Sequence, residues 1–147
     1  MKKLLTLVCS SLIFISCAKE KAEAQKPETF TVNTFTDLPP EIDGCSCTFS
    51  EDSVSYAKEK YIYANNFAAT SFIKINGKLI ELTETEHSNP DSLTTVSKST
   101  GGGYKVEIKA KVFRTVDLEY NEMKGTMAIK SKKGKTVTKT IYGGCGC

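Results

Sequence analysis

Histidine occurs once in the chain, at His87, and most of the equipment of catalysis is missing with it. His87 sits in the polar stretch TETEHSNPDS with Asp91 and several serines nearby. Nothing there supplies the nucleophile elbow or oxyanion loop that a Ser-His-Asp hydrolase needs, so it reads as a solvated loop residue. Carboxylates fall at alternating outward positions or in loops, with no pair set against an apolar wall that would split their acidities. The glycines of GGGY (101–104) lack the following Lys-Ser/Thr of a phosphate-binding loop. A Cys-x-x-Cys at a helix start is absent too, which removes the usual dithiol redox motif. No enzyme activity and no cofactor is expected; the chain is expected to work by binding.

Charge of one sign is also in short supply, with 20 basic against 17 acidic side chains. A nucleic-acid partner is therefore not expected, because neutralising several phosphates needs a clear basic excess. The local exception, KSKKGK (Lys130 to Lys135), reads as a charged hairpin tip. Long hydrophobic runs are missing as well: the longest, Leu4 to Ser16, has 13 residues, short of the roughly 20 that a membrane-spanning helix needs.

That run has the layout of an export signal. Met1-Lys2-Lys3 makes a basic head, LLTLVCSSLIFIS is the apolar stretch, and polar AKEKAEAQKPE follows Cys17. The box Phe14-Ile15-Ser16-Cys17 resembles that of a bacterial lipoprotein signal peptide, with Phe14 in place of the usual leucine. The resemblance implies cleavage after residue 16 and lipidation of Cys17, so that acyl chains such as palmitate anchor the protein to a membrane of the cell envelope. Ala18 is not the aspartate that marks inner-membrane retention in enteric bacteria, so the outer membrane is favoured. Loss of Lys2 and Lys3 would bring the formal charge from +3 to about +1. Residues 17–29 hold no aliphatic side chain larger than alanine and read as a flexible tether.

From Phe30 to the C-terminus the sequence is rich in Thr, Val, Ile, Tyr and Phe. In YKVEIKAKVFRTVDLEY the apolar residues fall on even positions from Tyr104 to Tyr120, with one break at Phe113-Arg114 that predicts a bulge, a bend or a hairpin corner. Asn76-Gly77 between two apolar runs predicts a tight type I′ hairpin. Strands are expected near 30–36, 45–50, 60–65, 69–75, 78–86, 93–98, 104–120, 126–131 and 136–142. Breaks are expected at Leu38-Pro39-Pro40, HSNPDS, GGGY, NEMKG and SKKGK. SEDSVSYAKEKY is the one helical candidate, with Ser50 and Ser53 as possible caps. The tyrosines are expected mostly inside the fold or at its rim. The fold class is all-β, a small antiparallel β-barrel or β-sandwich of about eight strands over 30–147.

Two Gly-Cys-x-Cys blocks frame that domain, with Cys45 and Cys47 near its start and Cys145 and Cys147 at its end. Export permits disulfides. A bridge within Cys-x-Cys is strained, whereas antiparallel neighbours would set Cys45 opposite Cys147 and Cys47 opposite Cys145 at bridging distance. A bridge from Cys45 to Cys147 closes a loop of about 100 residues, worth about 4 to 5 kcal/mol in the chain-entropy model. Glycines 44, 143, 144 and 146 would let the backbones approach closely. The alternative is a four-thiolate metal site on Cys45, Cys47, Cys145 and Cys147. Its one-residue spacers suit copper better than zinc. The sequence leaves both open. The partners it points to are the membrane, through the lipid, and a protein of the envelope.

Overall fold

Alternation of period two gives a sheet one dry face, and such a sheet buries that face most completely by curling onto itself. The computed structural model describes residues 29–147. The expected leader (1–16), the lipidation site Cys17 and the tether up to residue 28 lie outside the described residues. The elements are β1 (Val32–Asn33), β2 (Ser46–Ser50), α1 (Ser53–Ala57), β3 (Tyr63–Asn65), β4 (Thr70–Ile75), β5 (Lys78–Ser88), β6 (Thr94–Gly101), β7 (Tyr104–Thr115), β8 (Tyr120–Ser131) and β9 (Thr136–Gly146).

Strands β2 to β9 run up and down in chain order, each antiparallel to the next, and β9 returns to pair with β2. The result is a closed eight-stranded barrel, the first of the two architectures expected. β1 adds to the free stretch of β4 through Val32 opposite Ile75. Beyond it, residues 35–42 cross the outer face of β3 and β4, where Phe35 and Ile42 bury Ala64 and Phe72 in a small second core.

Inside the barrel the dry face fills one end. Phe30 lies edge-on to Tyr104 with ring centroids 5.4 Å apart, over a layer containing Ile73, Ile75, Leu82, Val106, Met127 and Ile129. Phe49 and Tyr63, 6.1 Å apart, form the next layer up. The Asn76-Gly77 hairpin forms as expected, both residues at positive φ (49° and 80°).

Several boundaries differ from the sequence reading. The run 104–120 is one strand and a corner: a bulge between Val112 and Arg114 precedes the end of β7. The chain then turns at Val116–Glu119, where Asp117 Oδ1 accepts hydrogen bonds from the backbone N–H groups of Glu119 and Tyr120, both at 2.8 Å. Val116 and Leu118 are consequently exposed rather than buried, although they share the parity of the core residues. The break expected at NEMKG is absent, because 121–125 lie within β8. Gly125 marks a close approach instead of a turn: a Cβ there would overlap the Lys109 carbonyl and Ala110 of β7. β9 continues to Gly146, four residues past the expected end, as pairing with β2 extends it. The N-terminal strand shrinks to two residues and an isolated bridge from Phe35 to Tyr61. The helix is one turn capped by Asp52, whose carboxylate accepts from Ser55 N at 2.7 Å. Ser50, offered as a cap, is fully buried and donates to the Lys60 carbonyl at 2.7 Å.

Candidate ligand-binding mouth of the barrel

The end opposite Phe30 is open. Above Phe49 and Tyr63 the barrel encloses a cavity of about 460 Å³, a size that suits a small molecule. Its wall has two halves of different character. On β2, β9, β8 and β7 it is apolar: Cys47, Cys145, Phe49, Met123, Ile108 and Ala110 face the space. On β3, β5 and β6 it is polar, with Asn65, Glu84, His87, Thr95 and Ser97, while Asn89 and Asn121 complete the rim.

The local chemistry of β5 explains how two ionisable groups reach this interior. Ile80, Leu82 and Glu84 alternate inward with a period of two. Strict alternation would then turn His87 outward. A bulge between Glu84 and Glu86 inserts one residue, so that His87 pairs with buried Ser97 and faces the mouth. His87 Nδ1 lies 3.3 Å from Glu84 Oε2. The expectation of a loop histidine is corrected, since β5 runs through His87 to Ser88, while that of a solvated one holds: the side chain is 48% exposed at the rim of the cavity. The expectation that carboxylates sit at outward positions or in loops fails at Glu84, which shares the inward parity of Ile80 and Leu82 ahead of the bulge. Asp91 is not brought to His87. Its Oδ1 accepts from Leu93 N and Thr94 N at 2.8 and 2.7 Å, closing the β5–β6 loop. Those bonds hold its carboxyl below the usual carboxylate range.

Tyr63 stands where the filled part of the barrel meets the cavity. Burial pushes its phenol up from the ordinary value, and the neighbouring side chains of Ser71, Asn65 and Ser97 offset only part of that. Three mouth-side loops carry four exposed apolar side chains, Phe67, Leu93, Val116 and Leu118. Phe67 also lines the cavity, held by a β3–β4 loop in which Asn66 Oδ1 accepts from Ala68 N and Thr70 N.

Two of the cysteines, Cys47 and Cys145, belong to the apolar half of this mouth. Cys45 is bonded to Cys147 and Cys47 to Cys145, the antiparallel cross-pairing, with sequence separations of 102 and 98. With its sulfurs paired, this set has no thiolate free to ligate copper or zinc. The glycines of YGGCGC serve both faces of the same wall. Gly143 faces inward, where a Cβ would overlap the Thr48 carbonyl and crowd Phe49; Gly144 faces outward, where a Cβ would overlap the Tyr120 ring.

Outside, Tyr120 lies across this glycine strip and shares a 2.8 Å hydrogen bond with Tyr56. Tyr56 packs edge-on against Tyr61 and Tyr142, and Tyr142 against Phe113. Arg114 clamps Glu122 through Nε and Nη2, and Tyr142 donates to the same carboxylate. The Arg114 guanidinium holds the Glu122 carboxyl below its ordinary value. The expected placement of tyrosines inside or at the rim therefore holds for Tyr63 and Tyr104. Tyr56, Tyr61, Tyr120 and Tyr142 clad the outer wall, where Gly144 and Gly146 leave room for the Tyr120 ring and the other three pack around it.

These features define a class: a small up-and-down β-barrel clasped by two disulfides, filled at one end and open to a cavity at the other. Compared with known protein families, with curated proteins and with solved structures, the chain matches none.

Proposed function

We propose that this protein is a lipid-anchored protein of the bacterial cell envelope that binds a small molecule in the open end of its barrel and catalyses no reaction. The observation that carries the binding role is the cavity of about 460 Å³. An eight-stranded barrel is just wide enough either to be packed solid or to hold one small ligand; this one is packed in its lower half only. Apolar walls with a few polar groups at the entrance are the common make-up of such sites.

The anchor rests on sequence features, the basic head, the short apolar run and the box ending at Cys17. Two disulfides suit an exported, oxidising location. The outer membrane is favoured through Ala18. The described chain begins at the filled end, so a tether from Cys17 would enter there and leave the mouth, with its exposed Phe67, Leu93, Val116 and Leu118, clear of the attachment point. That apolar crown is where an envelope partner would make contact.

Mass spectrometry of the protein exported in its native host tests the anchor, and titration with small apolar probes tests the ligand role. A mature N-terminus at Cys17 carrying acyl chains is expected, together with release from membranes on Cys17→Ala. Cleavage elsewhere without acylation would remove the anchor, and failure of any small apolar probe to bind would remove the ligand role.

A further inference from the structure

We infer that the mouth selects a cationic amphiphile, an apolar ring or short chain bearing an ammonium group, over a neutral one and most strongly over an anionic one. This deepens the binding role proposed above and rests on it.

The apolar half of the wall, with Met123, Ile108, Phe49 and the Cys47–Cys145 bond, fits a hydrocarbon body. The sign of the head group follows from the other half. Glu84 is the single carboxylate among the lining residues, and no lysine or arginine lines the cavity with it. Its side chain is only 24% exposed, and its one ion-pair partner among the described residues is His87, at 3.3 Å. A carboxylate drawn from water without a full counter-charge is costly, and a ligand cation beside it recovers that cost. An anionic head group such as a fatty-acid carboxylate would instead meet a like charge in a half-enclosed space. The neutral groups of the rim, Asn65, Asn89, Asn121 and Thr95, serve either kind of head group, so Glu84 sets the preference.

A matched series of naphthalenes tests this on the full chain: 1-naphthylmethylamine, 1-naphthalenemethanol and 1-naphthoate at neutral pH. The chain contains no tryptophan, so naphthalene fluorescence can be followed without indole emission beneath it. The amine is expected to bind about tenfold more tightly than the alcohol, the scale of one charge-assisted hydrogen bond, and the naphthoate most weakly. Glu84→Gln is expected to bring the amine level with the alcohol while the alcohol is unchanged. Naphthoate binding as well as the amine, or an amine preference that survives Glu84→Gln, would overturn the selectivity and leave the binding role standing. No binding of any of the three by folded protein would overturn both. If the variant does not fold, the order of the three ligands on the unaltered chain still decides the question.

Discussion

At the end where the described chain begins, Phe30 and Tyr104 close the barrel with packed rings, and the interior beneath them is filled. At the other end the wall is held by two covalent bonds, Cys45–Cys147 and Cys47–Cys145, and the interior is left open. The difference shows how a barrel of this size keeps a cavity. Burial of apolar surface stabilises in proportion to the contacts made, so an end emptied for a ligand forgoes that stabilisation. The disulfides supply stability of another kind, by restricting the unfolded chain, and they do so without filling the space.

The comparison breaks first at the clasp. Replacing Cys45, Cys47, Cys145 and Cys147 together by alanine is expected to lower unfolding free energy by about 4 to 5 kcal/mol, read from urea denaturation. Removing Cys45 and Cys147 alone should cost less than about 1 kcal/mol, because the inner bond still closes the same long loop. Equal costs for the two variants would contradict this account. At the filled end, Phe30→Ala should cost about 3 kcal/mol by loss of the ring and the void it leaves. Naphthalene binding at the far end should not change; a shift would mean that the ends are coupled.

A smaller effect is expected at the glycine strip behind the clasp. Gly144→Ala forces Tyr120 aside and should cost about 1 to 3 kcal/mol. In a Tyr120→Ala background the same substitution should cost much less, which a double-mutant cycle would detect. The smallest effect concerns Tyr63 at the boundary between the two ends. Burial raises its phenol above the ordinary 10.0, so the unfolded chain ionises there first while the folded state holds its proton. Stability contributed by the neutral phenol is present below pH 10 and falls by about 1.4 kcal/mol per pH unit as pH rises from there toward the folded value. Tyr63→Phe should flatten that alkaline slope, and an unchanged slope would show that other groups cause it.

The clasp was legible because it needed only spacing and strand logic: equal Cys-x-Cys spacers on antiparallel neighbours cross-pair, and they do. The Asn76-Gly77 hairpin, the SKKGK tip and the alternation from Tyr104 to Val112 were legible for the same local reasons. NEMKG misled because glycine marks both a turn and a close approach of two backbones, and only the neighbour, here Ala110 on β7, distinguishes them. The polar wall was harder to see. Glu84 shares parity with Ile80 and Leu82, a signal that was present, but β6 presents Thr95, Ser97 and Ser99 inward and so offers no apolar stripe to read. His87 depended on a bulge, and one extra residue on β5 moved it from the outer face to the inner one.

The sequence by itself determined an all-β chain and several of its hairpin turns, since each follows from residues close in the chain or from periodicity along one strand, and it offered the two sulfur pairs as one of two uses for the four cysteines. Tertiary structure decided that the sheet closes, that one end fills while the other stays open, and that Glu84 and His87 meet at the mouth. Closure and filling depend on which faces of eight strands converge, a relation among distant residues that no single stretch of sequence contains.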